Sequence, residues 1–179
     1  MENPLIARGA VTLSRAAPVV SACLAAFFAS HADADNLIRN GGFENGCIPS
    51  SATCSEWTLI PNNSAVDRDA HTPKYSVAIG GEGGGTGGVK QLVVLKNSHI
   101  YGFSFWYKGS RGFGLTPLIA RVGTRTVFAA MVNAATNWTL YQVPVQADKD
   151  GPTEVHIFTE NGPHYVGPLI LIDDVELTE

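Results

Sequence analysis

The chain has 179 residues, of which 45% are hydrophobic and 16% are charged, a composition typical of a folded globular protein and not of a disordered one. Its net charge of −4 excludes the excess of positive charge with which proteins bind the phosphates of nucleic acids, so nucleic acid is not an expected partner. The 19 glycines and 10 prolines indicate many turns, which favours numerous short strands over long helices.

The first 34 residues have the pattern of a secretory signal peptide. Two arginines precede an apolar stretch from Ala16 to Ala29, and small residues at positions 32 and 34 suit cleavage after Ala34. The stretch is shorter than the roughly 20 residues of a membrane span. We therefore expect residues 35–179 to be a secreted domain, extracellular or periplasmic, without a membrane span; a retained anchor and a lipid attached to Cys23 are the alternatives.

Cleavage would leave two cysteines, Cys47 and Cys54, seven positions apart in a segment rich in serine. In an oxidising compartment such a pair predicts a local disulfide. Zinc would need about four ligands, and no second pair of ligands at short spacing follows.

Residues 35–179 contain ten segments rich in β-branched and aromatic residues, separated by Gly, Pro, Asn and Asp. None of them carries an apolar stripe with the helical period. Ten strands without intervening helices cannot form parallel crossovers, so we predict an all-β, two-sheet antiparallel β-sandwich, a jelly roll. The predicted strands are Asn36–Phe43, Trp57–Ile60, Tyr75–Ile79, Gly88–Leu95, Ile100–Lys108, Leu115–Val122, Arg125–Val132, Trp138–Val145, Glu154–Thr159 and Leu169–Leu177.

The glycine-rich run from Gly80 to Gly88 is the one low-complexity segment. Bare backbone amides can wrap phosphate, but a Walker loop ends in Gly-Lys-Ser/Thr and leads into a helix. This run leads into a strand instead, and we predict a flexible loop.

The clearest alternation of side chains lies in the predicted strand Ile100–Lys108. Its four phenyl or phenol rings, at positions 101, 103, 105 and 107, share one face and predict the core. Trp106 lies on the opposite face with Ser104 and Lys108.

Six motifs along residues 35–179 resemble those of one domain type in the same order. The chain resembles the galactose-binding-like jelly roll of carbohydrate-binding modules, especially groups four, nine and twenty-two. The motifs are Asn36–Gly46, Tyr75–Ile79, Gly88–Gln91, Tyr101–Lys108 with Trp138–Tyr141, and Ile172–Leu177.

The resemblance implies a carbohydrate partner and a structural calcium ion that joins the first and last strands. Glu44 and one of Asp173 and Asp174 would bind the ion, since Ca²⁺ takes six to eight oxygen ligands. The alternative is that these are ordinary strand-end carboxylates bonded to backbone amides.

Such modules hold sugar rings against an aromatic face and bind the hydroxyls with polar side chains. Trp106 is the best candidate for the aromatic, because it lies outside the core pattern, and Trp57 and Trp138 are interpreted as structural. If their strands neighbour Trp106 in one sheet, the candidates for hydrogen bonds are Gln91, Arg121 and His156. Lys108 lies beside Trp106 on the same face of its strand, and Tyr165, an aromatic in a later loop, is a candidate contact at the rim of the site.

The sequence has no nucleophile elbow, zincin helix or Cys/His couple, and we predict no catalytic residue. A small secreted jelly-roll enzyme, such as a lyase or hydrolase using His156 with Glu160, and an extracellular protein-binding or adhesion domain are the alternatives.

Overall fold

The computed structural model of the protein describes residues 35–60, 63–80, 85–161, 167 and 169–179, and within these ranges the chain forms ten strands and no helix. The described residues therefore include no helix with the length and hydrophobicity that crossing a membrane requires. The predicted signal peptide and Tyr165 lie outside these ranges. The strands are β1 (Thr58–Leu59), β2 (Ser64–Asp67), β3 (Ser76–Gly80), β4 (Gly85–Leu95), β5 (Ile100–Ser110), β6 (Leu115–Val122), β7 (Arg125–Asn133), β8 (Thr139–Gln146), β9 (Gly151–Asn161) and β10 (Leu169–Thr178).

The strands form two five-stranded sheets, which confirms the predicted antiparallel β-sandwich. The first sheet has the order β1-β4-β9-β6-β7 and the second has the order β2-β3-β10-β5-β8. All pairs of neighbouring strands are antiparallel. Side chains alternate between the interior and the outside along each strand, so each sheet contributes one face to the core.

The core contains a cluster of aromatic rings from both sheets. Phe105 of β5 has no exposed surface. Its ring centroid lies 5.5 Å from that of Phe128 on the opposite sheet and 5.6 Å from those of Phe103 and Tyr141. The predicted alternation of core residues in β5 is therefore confirmed.

Nine of the ten predicted strands are present, but the prediction for Asn36–Phe43 is wrong. Only its first residues run beside β10, where Asn36 bridges to Thr178 and Leu37 donates a hydrogen bond to the carbonyl of Leu177. The chain then turns, because Asn40 and Phe43 adopt positive φ angles of 53° and 55°. Such left-handed residues cannot continue a strand.

Two other predictions need correction. The short strand β2 was not predicted, because its four residues include one large apolar side chain, Val66. The predicted loop over the glycine-rich run is wrong at both ends, because Gly80 belongs to β3 and residues 85–88 belong to β4. Residues 81–84 lie outside the described ranges. A Cβ atom at Gly88 would lie 2.7 Å from the Cβ of Phe158 on β9, so the close approach of these strands requires glycine there.

The N-terminal turn is held by a disulfide and by Trp57. Cys47 and Cys54 form the predicted disulfide, and the side-chain amide of Asn40 lies beside both sulfur atoms. The indole of Trp57 is buried, lies 5.2 Å from the ring of Phe43, and donates its N–H to the carbonyl of Asn40 at 2.9 Å. Trp57 thus packs in the core, as its structural interpretation requires.

Candidate functional site

Three of the polar residues predicted to assist Trp106 lie on the other sheet of the sandwich. Gln91, Arg121 and His156 belong to β4, β6 and β9, which pair with one another in the first sheet. Trp106 and Lys108 belong to β5, which lies between β10 and β8 in the second sheet. The expectation that these strands neighbour each other in one sheet is therefore wrong, because the pairing of strands places them on opposite layers.

Arg121 and His156 instead belong to a row of polar side chains that crosses the outer face of the first sheet. Each of the five strands contributes one member, and each member is the registered partner of the next. With about 4.8 Å between strands, the row is about 19 Å long. We call it the polar row, and its members in order are Thr58, Lys90, His156, Arg121 and Thr126.

The charges around the polar row are partly paired. The Nζ of Lys90 lies 3.1 Å from a carboxylate oxygen of Glu154, and the Nδ1 of His156 lies 3.9 Å from the other oxygen. Burial lowers the pKa of His156 below its usual 6.5, so its imidazole is neutral at pH 7. Its Nε2 is buried and has no hydrogen-bond partner among the described residues. A buried ring nitrogen without a hydrogen bond is unusual, since buried polar atoms are normally hydrogen-bonded.

An apolar row runs beside the polar row on the same face of the sheet. In β4, β9 and β6 its members are two residues away from those of the polar row. It consists of registered partners from four neighbouring strands: Gly88, Phe158, Ile119 and Ala129. Phe158 is only 2% exposed. The imidazole of His156 stacks on it with ring centroids 4.3 Å apart, and the guanidinium of Arg121 lies 4.9 Å from its centroid. Phe158 thus fixes the positions of two members of the polar row.

Gln91 belongs to neither row because its side chain points to the interior. Its Oε1 accepts a hydrogen bond from the backbone N–H of Arg39 at 2.8 Å, and its Nε2 donates to the carbonyl of Arg39 at 2.9 Å. Both ends of the amide are thus engaged in holding the N-terminal segment against β4.

Trp106 lies on the outer face of the second sheet, as predicted, within a cluster that the sequence did not indicate. His71 stacks on its indole with centroids 3.8 Å apart and planes at 15°, and Trp138 meets the same imidazole edge-on at 5.7 Å. Lys108 lies 5.8 Å from the ring centroid of Trp138 and forms an ion pair of 2.7 Å with Asp69. We call these five residues the aromatic cluster. Trp138 is partly exposed here, outside the core that its structural interpretation implied.

Asp173, beside the aromatic cluster, is a completely buried carboxyl group. One of its oxygens accepts hydrogen bonds from the backbone N–H groups of His71 and Thr72, and the other accepts from the N–H of Asp174. Burial, together with the negative charge of Asp174, raises the pKa of Asp173 to about 7. Asp173 thus anchors the loop that carries His71.

Asp174 adopts a positive φ of 44°, which turns its carboxylate towards the same loop. Its two oxygens lie 2.7 Å from the hydroxyl of Thr72 and 2.7 Å from the Nδ1 of His71. The carboxylate of Glu44 accepts a hydrogen bond from the backbone N–H of Tyr75 at 3.2 Å. In the part of the chain that the structure describes, no three His, Cys, Asp or Glu side chains are grouped as metal ligands.

The antiparallel sandwich thus presents a row of hydrogen-bonding side chains across the outer face of one sheet. The sequence matches a family described as carbohydrate binding domain over residues 35–165, well over half of the chain. The chain belongs to this family and is a carbohydrate-binding domain. A search of curated proteins found no match.

Solved structures with the same fold include two carbohydrate-binding modules. TmCBM61, in complex with beta-1,4-galactotriose, is 22% identical, with a TM-score of 0.59 over 81% of this chain and 99% of its own. The CBM22-1 xylan-binding domain of Xyn10C from Paenibacillus barcinonensis is 18% identical, with a TM-score of 0.59 over 81% and 94%. The arabinose-bound arabinofuranosidase MgGH51 is 17% identical, with a TM-score of 0.60 over 80% of this chain and 26% of that one. At these identities the likeness shows a shared fold.

Proposed function

We propose that this domain binds an extended glycan along the polar row of the first sheet. The observation that carries the proposal is the row itself, in which five strands each place one hydrogen-bonding side chain in register across one face. A sugar chain presents hydroxyl groups at its edges and apolar C–H groups on its ring faces. The polar row is complementary to the hydroxyl edge of such a ligand, and Ile119 and Ala129 beside it, which are partly exposed and exposed, offer apolar surface.

Three members of the polar row can bind hydroxyl groups strongly. Lys90 and Arg121 are cationic donors, and hydrogen bonds to charged groups are stronger than neutral ones. The imidazole of His156, whose side chain is 20% exposed, is a third hydrogen-bonding group on this face. The structural neighbours in complex with galactotriose and with a xylan-binding role suggest β-linked plant polysaccharides as the first ligands to try.

The first experiment removes Arg121 from the polar row. We expect Arg121→Ala to weaken glycan binding by roughly 10-fold to 100-fold, since a hydrogen bond to a charged group is worth about 1.5–3 kcal/mol. The double variant R121A/H156A should lose nearly all binding to this face. Affinity electrophoresis against galactan, xylan and soluble cellulose derivatives, followed by calorimetry with the best ligand, measures the effect.

Arg125→Ala is the matched control, because Arg125 is an exposed arginine at the start of β7 that lies outside the polar row. It should bind the glycan like the wild type. Failure of the wild type to bind any polysaccharide would contradict the proposal, and so would equal binding by wild type and double variant in calorimetry.

We propose that the domain acts outside the cytoplasm, after removal of residues 1–34. The disulfide between Cys47 and Cys54 supports this location, because disulfides persist in oxidising compartments. The signal-peptide pattern of the first 34 residues supports it as well.

We also propose that Ca²⁺ binds between the N-terminal turn and β10. A Cβ atom at Gly42 would lie 3.3 Å from Asp174 Oδ1, 3.5 Å from Thr72 Oγ1 and 3.9 Å from Glu44 Cγ. Glycine thus leaves space between three oxygen-bearing side chains, the hard ligands that Ca²⁺ prefers. Asp173, buried next to them, is a further carboxyl that a cation would stabilise in its charged form.

Chelation should then destabilise the domain. Calcium at 100 times its dissociation constant stabilises by about 2.7 kcal/mol, so a chelator should lower the melting temperature by several degrees. Glu44→Ala should abolish this difference, whereas Glu56→Ala, at an exposed carboxylate away from Gly42, should retain it. An identical melting temperature of the wild type with calcium and with chelator would refute the calcium site.

A further inference from the structure

We infer a second glycan-binding site on the outer face of the second sheet, where the free face of Trp106 stacks on a pyranose ring. This site is separate from the polar row, which lies on the opposite sheet of the sandwich. Both Trp106 and Trp138 are only partly buried there, although tryptophan is a large and mainly hydrophobic side chain. Partly exposed aromatic rings of this kind are typical anchors of binding sites.

The indole of Trp106 is held rigidly from one side. His71 covers one face of the ring at 3.8 Å, nearly parallel to it. The backbone N–H of His71 is bonded to Asp173, and its imidazole is bonded to Asp174. Because this support fixes the plane of the indole before a ligand arrives, binding costs little side-chain entropy.

The opposite face of the indole is the one available to a ligand. Trp106 stands in register between Asp173 of β10 and Leu140 of β8. Since His71 is bonded on the β10 side, the other ring face is turned towards β8, the edge strand of the sheet. Leu140 is 40% exposed at this position, so the surface beside the ring is open and apolar.

Polar side chains occupy neighbouring positions on this face of the sheet. Gln142 lies exposed on β8, two residues from Leu140 and on the same face. The hydroxyl of Ser104 lies 3.5 Å from the carboxylate of Glu176 on β10, and Lys108 lies on the other side of Trp106. An aromatic plane with an amide, a hydroxyl and a carboxylate at its edge fits a neutral pyranose, with C–H groups on the ring and hydroxyls on the polar rim.

Two sites on opposite sheets would let one domain hold two glycan chains or two segments of one network. Linking two sites raises the apparent affinity for an insoluble polysaccharide far above that of either site alone. This goes beyond binding at the polar row.

The distribution of tryptophans makes the second site directly measurable. The chain has three, of which Trp57 is buried in the core and the other two belong to the aromatic cluster. No member of the polar row is a tryptophan, so only a glycan at the aromatic cluster should change tryptophan emission. The probes are β-1,4-galactotriose, xylohexaose and cellohexaose, titrated into wild type and R121A/H156A.

We expect a saturable change in emission in both proteins, and a calorimetric stoichiometry of two glycans in the wild type but one in R121A/H156A.

Leu140→Lys places a long charged side chain beside the free face of Trp106 at an exposed position. This substitution should lower the affinity measured by the emission titration at least tenfold, and the circular dichroism spectrum should show an intact fold. Val94→Lys, an apolar residue 70% exposed on the first sheet, is the matched control and should titrate like the wild type.

Three results would each overturn the second site. They are binding of a probe without any change in emission, loss of the emission change in R121A/H156A, and an unchanged titration in L140K. Failure of all three probes to bind the wild type would overturn it as well. Binding without any change in emission would contradict the second site but not glycan binding at the polar row. An emission change that persists in R121A/H156A, with a stoichiometry of one glycan, would show that the two sites are distinct.

Discussion

Replacing Phe105 by alanine should lower the free energy of unfolding by about 3–5 kcal/mol, which is a large share of the stability of a domain of this size. Phe105 has no exposed surface, and its ring contacts Phe103, Phe128 and Tyr141 from both sheets. The substitution removes its burial and leaves a cavity that these rigid rings cannot fill. The melting temperature should fall by the order of 10 °C, measured by calorimetry or near-ultraviolet circular dichroism.

Phe113→Ala is the control for this prediction. Phe113 is 87% exposed, so the same change of side chain should alter stability by less than about 0.5 kcal/mol. Equal effects of the two substitutions would show that the rings around Phe105 do not form the interior between the sheets.

Replacing Gly41 by alanine should cost about 2–4 kcal/mol, although only one methyl group is added. The new Cβ would overlap the backbone carbonyl oxygen of Val175 on β10 and lie 3.1 Å from its carbonyl carbon. The N-terminal turn and β10 cannot move apart without weakening the hydrogen bond of 3.0 Å from the N–H of Val175 to the carbonyl of Gly41. Overpacking costs about 1–3 kcal/mol and a lost backbone hydrogen bond about 1 kcal/mol more.

Gly42→Ala is the matched control in the same turn. Its Cβ would meet only side-chain atoms, at 3.3 Å or more, and these can move by a few tenths of an ångström. Measured with chelator present, G42A should unfold within about 1 kcal/mol of the wild type. If G41A were as stable as G42A, the N-terminal turn would not be packed against β10 as described.

The sequence predicted the strands well where side chains alternate strictly. In β5 the period of two separates core rings from Trp106 so clearly that both faces could be assigned before the structure. Prediction failed at Asn36–Phe43, where apolar residues occur but two backbone angles are left-handed. It also failed at β2, which carries too few large apolar residues to be recognised and depends on its pairing with β3.

The candidate sites were harder to predict, because they depend on which strands become neighbours. Arg121 and His156 were chosen as polar residues on strands, yet their proximity to Lys90 arises from the pairing of β4, β9 and β6. The contact between His71 and Trp106 joins a loop to a strand 35 positions later and has no periodic signal.

The sequence by itself determined the class of fold, the disulfide and the inward faces of most strands. These properties follow from local patterns, namely alternation, turn residues and the short spacing of Cys47 and Cys54. Tertiary structure alone decided that the polar row lies on one sheet and the aromatic cluster on the other. The order and register of strands depend on contacts between residues far apart in sequence, and no pattern within a single strand specifies its neighbours.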